Sequence, residues 1–218
     1  SMIIFGAMQQ MMPVLAGAIL KKPRLFANIV HPSLVLGTLS MSFSFIFEIK
    51  ILLHIGVLFL TISFLTFFSL SIKLLFKVEF LTSTVKAMRL FSLAGFITLI
   101  LGLYLAIAHI SSNIGEQHYV FVNMHILFAL FGFALLIIMG VSFQVIPMFY
   151  VALDFPKFVQ NKIPLILFFL LLLSSLIFYF KVDFLVLKLL FVSLIMTFSF
   201  YACFIFIIIK IIFFYILY

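Results

Sequence analysis

The side chains in this sequence that could carry chemistry are its histidines. His54, His109, His118 and His125 fall at or near those ends of apolar runs that a shared topology places on one side, whereas His31 stands at the opposite end of its run, beside Pro32. Neutral imidazole is the commonest metal ligand and a frequent haem ligand, so a one-sided group could hold either. His125, His54 and His109 are the candidate cofactor-binding residues, with the identity of any metal open. The plainer reading is that a histidine at a helix end sits cheaply among lipid headgroups. His118, in the loop SSNIGEQHY, reads as solvated.

A second group is polar or kinking within apolar sequence. Gln10 and Pro13, and again Gln144 and Pro147, lie in runs that otherwise suit lipid. Proline lacks an N–H and frees a carbonyl one turn back, so each is expected to kink its helix, with the glutamine satisfying neighbouring backbone or a facing helix. The alternative role is contact with a substrate or ligand.

These residues need elements to position them, and residues 123–150, NMHILFALFGFALLIIMGVSFQVIPMFY, are the central one. At roughly 1.5 Å per residue this run reaches about 42 Å, more than a hydrocarbon core of about 30 Å. His125, Ala129, Gly132, Gly140, Gln144 and Pro147 fall on about one third of the circumference, and Leu, Ile and Phe cover the rest. Counting back from Asp154 as the inner end puts His125 beyond the outer hydrocarbon boundary, in an open, wet position. In a preceding run Ala94, Thr98, Gly102 and Ala106 form a small-xxx-small ladder, which reads as a close helix contact and not as a site.

Composition sets the class. Hydrophobic residues make up 67% of the 218 and charged residues 8%, with mean hydropathy +1.49, so an all-α, polytopic transmembrane bundle is expected, as a single domain over 1–218. The 13 Lys and Arg sit at the ends of apolar runs, so the net charge of +8 points to membrane topology and not to nucleic acid. Cys203 is the single cysteine, which excludes a disulfide framework and a cysteine metal site. Only five acids are present, with no P-loop and no G-x-S-x-G, so hydrolase and nucleotide-driven pump chemistry are poorly supported and an enzyme is not the expected class. The 33 phenylalanines read as lipid-facing bulk.

Seven apolar segments can be drawn, over 2–20, 27–47, 51–72, 88–109, 121–152, 163–180 and 184–217. The odd connections hold Lys21, Lys22 and Arg24, then Lys73, Lys77, Lys86 and Arg89, then Lys157 and Lys162; the even ones hold Lys50, nothing and Lys181. By the positive-inside rule the odd connections are cytoplasmic and the N-terminus is outside. Gly6-x-x-x-Gln10-x-x-Pro13 recurs as Gly140-x-x-x-Gln144-x-x-Pro147, which relates 1–77 to 135–214 as a parallel four-span repeat. The counterpart of His125 would precede Ser1, so the chain is expected to be a piece of a longer protein.

At HILFALFGFALLIIMGVSFQVIPMF, together with FGAMQQMMPVLAGAIL, the chain resembles uncharacterised bacterial polytopic membrane proteins that look like haem-copper oxidase subunit I. The resemblance covers mainly residues 1–40 and 120–157. It implies a multi-pass protein of the bacterial inner membrane, linked to haem or metal and to respiration or stress. The full oxidase ligand set is missing, since there is no His-His pair and no His-x-x-x-Tyr motif. The competing expectation is a permease-like or purely structural bundle. The lipid bilayer is the expected partner, together with other membrane subunits or a missing part of the same chain.

Overall fold

The computed structural model describes residues 2–112, 114, 115, 117–150, 153–180, 194–199, 201–203, 205 and 206. These residues are helical, with no strand among them: α1 (Met2–Ala16), α2 (Pro23–Phe47), α3 (Lys50–Leu75), α4 (Ser83–Ile110), α5 (His118–Leu127), a π-helical stretch (Phe128–Leu135), α6 (Leu136–Tyr150) and α7 (Lys157–Tyr179). Among the described residues five helices are long and apolar enough to cross a membrane, namely α2, α3, α4, the continuous helix His118–Phe149 and α7. Outward-facing Leu39, Phe43, Leu58, Ile100, Leu130 and Phe169 are exposed, as multi-pass insertion in lipid requires.

Several expected boundaries move. The first helix ends at Ala16 and not near 20, because Gly17 adopts a left-handed φ of 64° and the Ala18 N–H reaches back to the Met12 carbonyl at 3.0 Å. The helix expected to begin at 163 begins at Lys157 and carries Pro164 inside it. Its first turns are held by side chains, as Ser83 donates to Gln160 Oε1 and Lys86 Nζ donates to Asn161 Oδ1 at 3.1 Å. The expected segment 184–217 lies largely outside the described residues, as does the later part of the expected repeat.

The chain turns between α2 and α3 in two residues, with Glu48 at φ 56° and Ser44 Oγ donating to the Ile49 carbonyl at 3.0 Å. Glycines then let the two backbones touch. A Cβ on Gly37 would lie 2.7 Å from the Leu60 nitrogen, and one on Gly56 would lie 2.8 Å from the Met41 nitrogen. Buried Ser63 donates across the same pair to the Val30 carbonyl at 2.8 Å.

The centre of the bundle is aromatic. Phe5 of α1 stacks on Phe67 of α3 with centroids 3.8 Å apart, and Phe68, Phe91 and Phe133 continue the cluster at 5.3–6.0 Å. All five are buried, so this part of the phenylalanine content is core and not lipid-facing bulk. Rings from α1, α3, α4 and the π-helical stretch meet here because each helix places one on its inner face.

The odd connections come together at one end. Lys21 and Lys22 share a groove with Lys73 and Lys77, while the starts of α4 and α7 are bonded to each other. Arg89 ties the end of α3 to α4: its Nε donates to the Leu75 carbonyl at 3.0 Å, its Nη2 to the Val78 carbonyl at 2.9 Å, and its guanidinium lies over the Phe76 ring. Lys50, His54 and the end of α4 lie at the opposite ends of these helices.

Candidate functional site

The small-residue ladder of α4 and the stripe of the long helix are two sides of one seam. Going antiparallel along it, Gly140 meets Ala87, Gly132 meets Ala94, and His125 meets Gly102. A Cβ added to Gly140 or Gly132 would stand 2.7 Å from the facing alanine Cβ, so the helices are in close contact. The long helix passes through its π-helical turn around Gly132, where the wider i→i+5 winding places a glycine against Ala94 and Leu171.

His125 occupies the end of this seam. Its ring lies over Gly102, where a Cβ would come 2.9 Å from Cε1 and 3.4 Å from Nδ1. From there Nδ1 reaches the Thr98 carbonyl at 3.1 Å. A carbonyl can only accept, so Nδ1 carries the proton and Nε2 keeps its lone pair. The hydroxyl of Thr98 is turned back to the Ala94 carbonyl at 2.9 Å and does not compete.

The ring is half-buried against α4 and not in the open position expected of it. Gly102 stands eight residues, about 12 Å, inside the Ile110 end of α4. Gly140 meets Ala87 near the start of α4, so the end of the long helix overhangs α4 by about two turns.

The half-buried ring of His125 lines a cavity of about 490 Å³ between α2, α3, α4 and α5, a volume suited to a small-molecule ligand. Phe68 and Phe133 of the aromatic core line one part of it, and Gly95, Gly102 and Ala106 line it along α4, with the Phe68 ring over Gly95. His109 and His118 line it as well. His109 is exposed and packs its ring 5.8 Å from that of Phe45. His118, which the loop sequence suggests is solvated, is half-buried, and its Nδ1 is fully covered with no hydrogen-bond partner among the described residues.

The other candidates lie elsewhere. His54 is outside the cavity, exposed on α3, and Nδ1 donates to the Lys50 carbonyl at 2.8 Å. Gln10 is exposed and Gln144 half-buried, and neither lines the cavity. On α1 it is the adjacent Gln9 that turns inward, with a buried Nε2 lacking a partner among the described residues. Pro13 and Pro147 both sit inside continuous helices, α1 and α6.

Sequence reasoning had no means of finding Gly102 as the seat of His125, because the signal is shared between two helices. Nor does the cavity hold a many-ligand metal site. Among the described residues no three or more His, Cys, Asp or Glu are grouped to bind a metal ion. What the lining offers chemically is the imidazole of His125, oriented by its bond to the Thr98 carbonyl, beside His109 and His118. Compared with protein-family models, curated proteins and solved structures, the chain matches none of them.

Proposed function

We propose that this chain is a multi-pass protein of the bacterial inner membrane that binds haem in the cavity between α2, α3, α4 and α5, where His125 would hold the group through Nε2. The observation that carries this reading is the bond from His125 Nδ1–H to the Thr98 carbonyl. A ligating histidine ordinarily gives its other N–H to a carbonyl or carboxylate, which fixes the tautomer, orients the ring and raises the basicity of the ligating nitrogen. The donor set also fits haem better than a bare metal ion, since haem needs only one or two protein ligands whereas a protein-held ion needs three or more.

The remaining lining has matching roles. Phe68 and Phe133 would supply apolar surface for a macrocycle, with the Phe68 ring seated over Gly95 and the His125 ring over Gly102. His109, on the exposed side of the lining, would be available to a propionate carboxylate. When bound, haem would supply one-electron redox chemistry or binding of a diatomic gas. The chain itself would orient the ligating nitrogen and exclude water. Without a His-His pair or a His-x-x-x-Tyr motif, the role proposed is electron transfer or sensing and not oxygen reduction.

The test is the haem content of detergent-purified protein from haem-replete cells, read as the pyridine haemochrome. Substoichiometric traces that do not depend on His125 would favour the permease-like or structural alternative. Its broken-helix form gains no support, since the helices run unbroken through Pro13 and Pro147.

A further inference from the structure

The end of the bundle remote from His125 carries a groove of about 1310 Å³. One wall is the turn after α1 and the start of α2; the other is the end of α3 and the connection into α4. Lys21 and Lys22 stand on the first wall. Lys73, in the last turn of α3, and Lys77, in the turn that follows it, stand on the second. All four are exposed, and the single acid on the lining is Glu79. None of the five makes an ion pair or side-chain hydrogen bond among the described residues. Leu25, Ile29, Leu70 and Leu74 continue the same walls away from the lysines. Ile19 and Phe80 are 73% and 83% exposed there.

We propose that this groove binds an anionic glycerophospholipid, its phosphate among the four lysines and its acyl chain along Leu25, Ile29 and Leu70. A free inorganic anion would leave the apolar wall unused, and an apolar ligand would leave four ammonium groups uncompensated. A zwitterionic lipid brings a cation into a site that is already cationic. Only a headgroup of net negative charge attached to hydrocarbon satisfies both parts. The proposal does not depend on what occupies the histidine cavity.

The experiment uses purified protein in detergent, titrated with dioleoylphosphatidylglycerol, with dioleoylphosphatidylcholine or with inorganic phosphate, and bound lipid is counted by native mass spectrometry. The phosphatidylglycerol is expected to bind at least 10-fold more tightly than the phosphatidylcholine. Lys73→Ala/Lys77→Ala is expected to weaken it by about 10- to 30-fold, from the contribution of each lysine near an anionic headgroup. Lys157→Ala/Lys162→Ala, outside the groove, is expected to leave it unchanged. Should the Lys73/Lys77 double variant fail to purify, Lys21→Gln/Lys22→Gln on the exposed turn reads the same loss. Equal binding of the two lipids, equal losses in groove and control variants, or competition by millimolar phosphate that abolishes the preference would each overturn the proposal.

Discussion

His125 donates its Nδ1–H to the backbone carbonyl of Thr98 across 3.1 Å, joining the long helix to α4 at positions 27 residues apart in the chain. The bond exists because Gly102, one turn after Thr98, has no side chain where the imidazole lies. A backbone acceptor cannot be removed by substitution, so the ring's orientation is exposed to mutation mainly at the glycine beneath it.

Gly102→Ala should therefore displace His125, since its Cβ would meet Cε1 at 2.9 Å, and Gly102→Leu should exclude the ring altogether. With haem bound through His125, the alanine variant is expected to bind haem more weakly and the leucine variant to lose it, while both still insert. Gly115→Ala, where an added Cβ meets nothing within 4 Å, is the control and should retain full haem content. The measurement is the haem-to-protein ratio after size exclusion.

How much of this could be seen beforehand differs from residue to residue. The stripe through His125, Gly132 and Gly140 and the ladder through Ala94 and Gly102 are each visible as spacing on one helix. That they face one another is a register between two helices, which depends on where α4 begins and on the π-helical turn at Phe128–Leu135. Neither quantity is written in a hydrophobic period. The same limit explains the glutamines: Gln9 and Gln10 are adjacent, and a repeat motif cannot say which of the two turns inward. The gathering of basic connections at one end was legible, because it needs only the alternation of apolar runs with lysine-bearing loops.

Arg89 provides a second test of the fold at the basic end. Its two bonds cap the Leu75 carbonyl at the end of α3 and hold the Val78 carbonyl of the connection that follows. Arg89→Ala should cost about 1.5–3 kcal/mol, the usual contribution of hydrogen bonds to a charged group. Arg89→Lys should recover less than half of that loss, because a single ammonium does not reproduce a planar fork. Thermal unfolding in detergent reads both.

The α2–α3 hairpin should be intolerant of side chains at its contact. Gly56→Ala places a Cβ 2.8 Å from the Met41 nitrogen, and backbone cannot swing aside as a side-chain tip can. The expected loss is at least about 1–3 kcal/mol, the range for overpacking. Gly17→Asn, at a left-handed turn with open space around it, should cost less than Gly56→Ala in the same thermal assay.

The proposed orientation predicts thiol accessibility. In a Cys203→Ser background, cysteines replacing Lys22, Lys86 or Lys157 should be shielded from an impermeant maleimide in intact cells, and those replacing Lys50 or Gly115 should be labelled. The reverse pattern would place the histidine cavity toward the cytoplasm and require the N-terminus to be inside.

The central claim is haem held by His125, and the most direct measurement is the absorption spectrum of detergent-purified protein from haem-replete cells, taken oxidised and reduced. The account predicts a Soret band that shifts on reduction, is lost in His125→Ala, and persists in His54→Ala, whose ring is bonded outside the cavity. A protein with no Soret band, or one whose band is unchanged in His125→Ala, would contradict it.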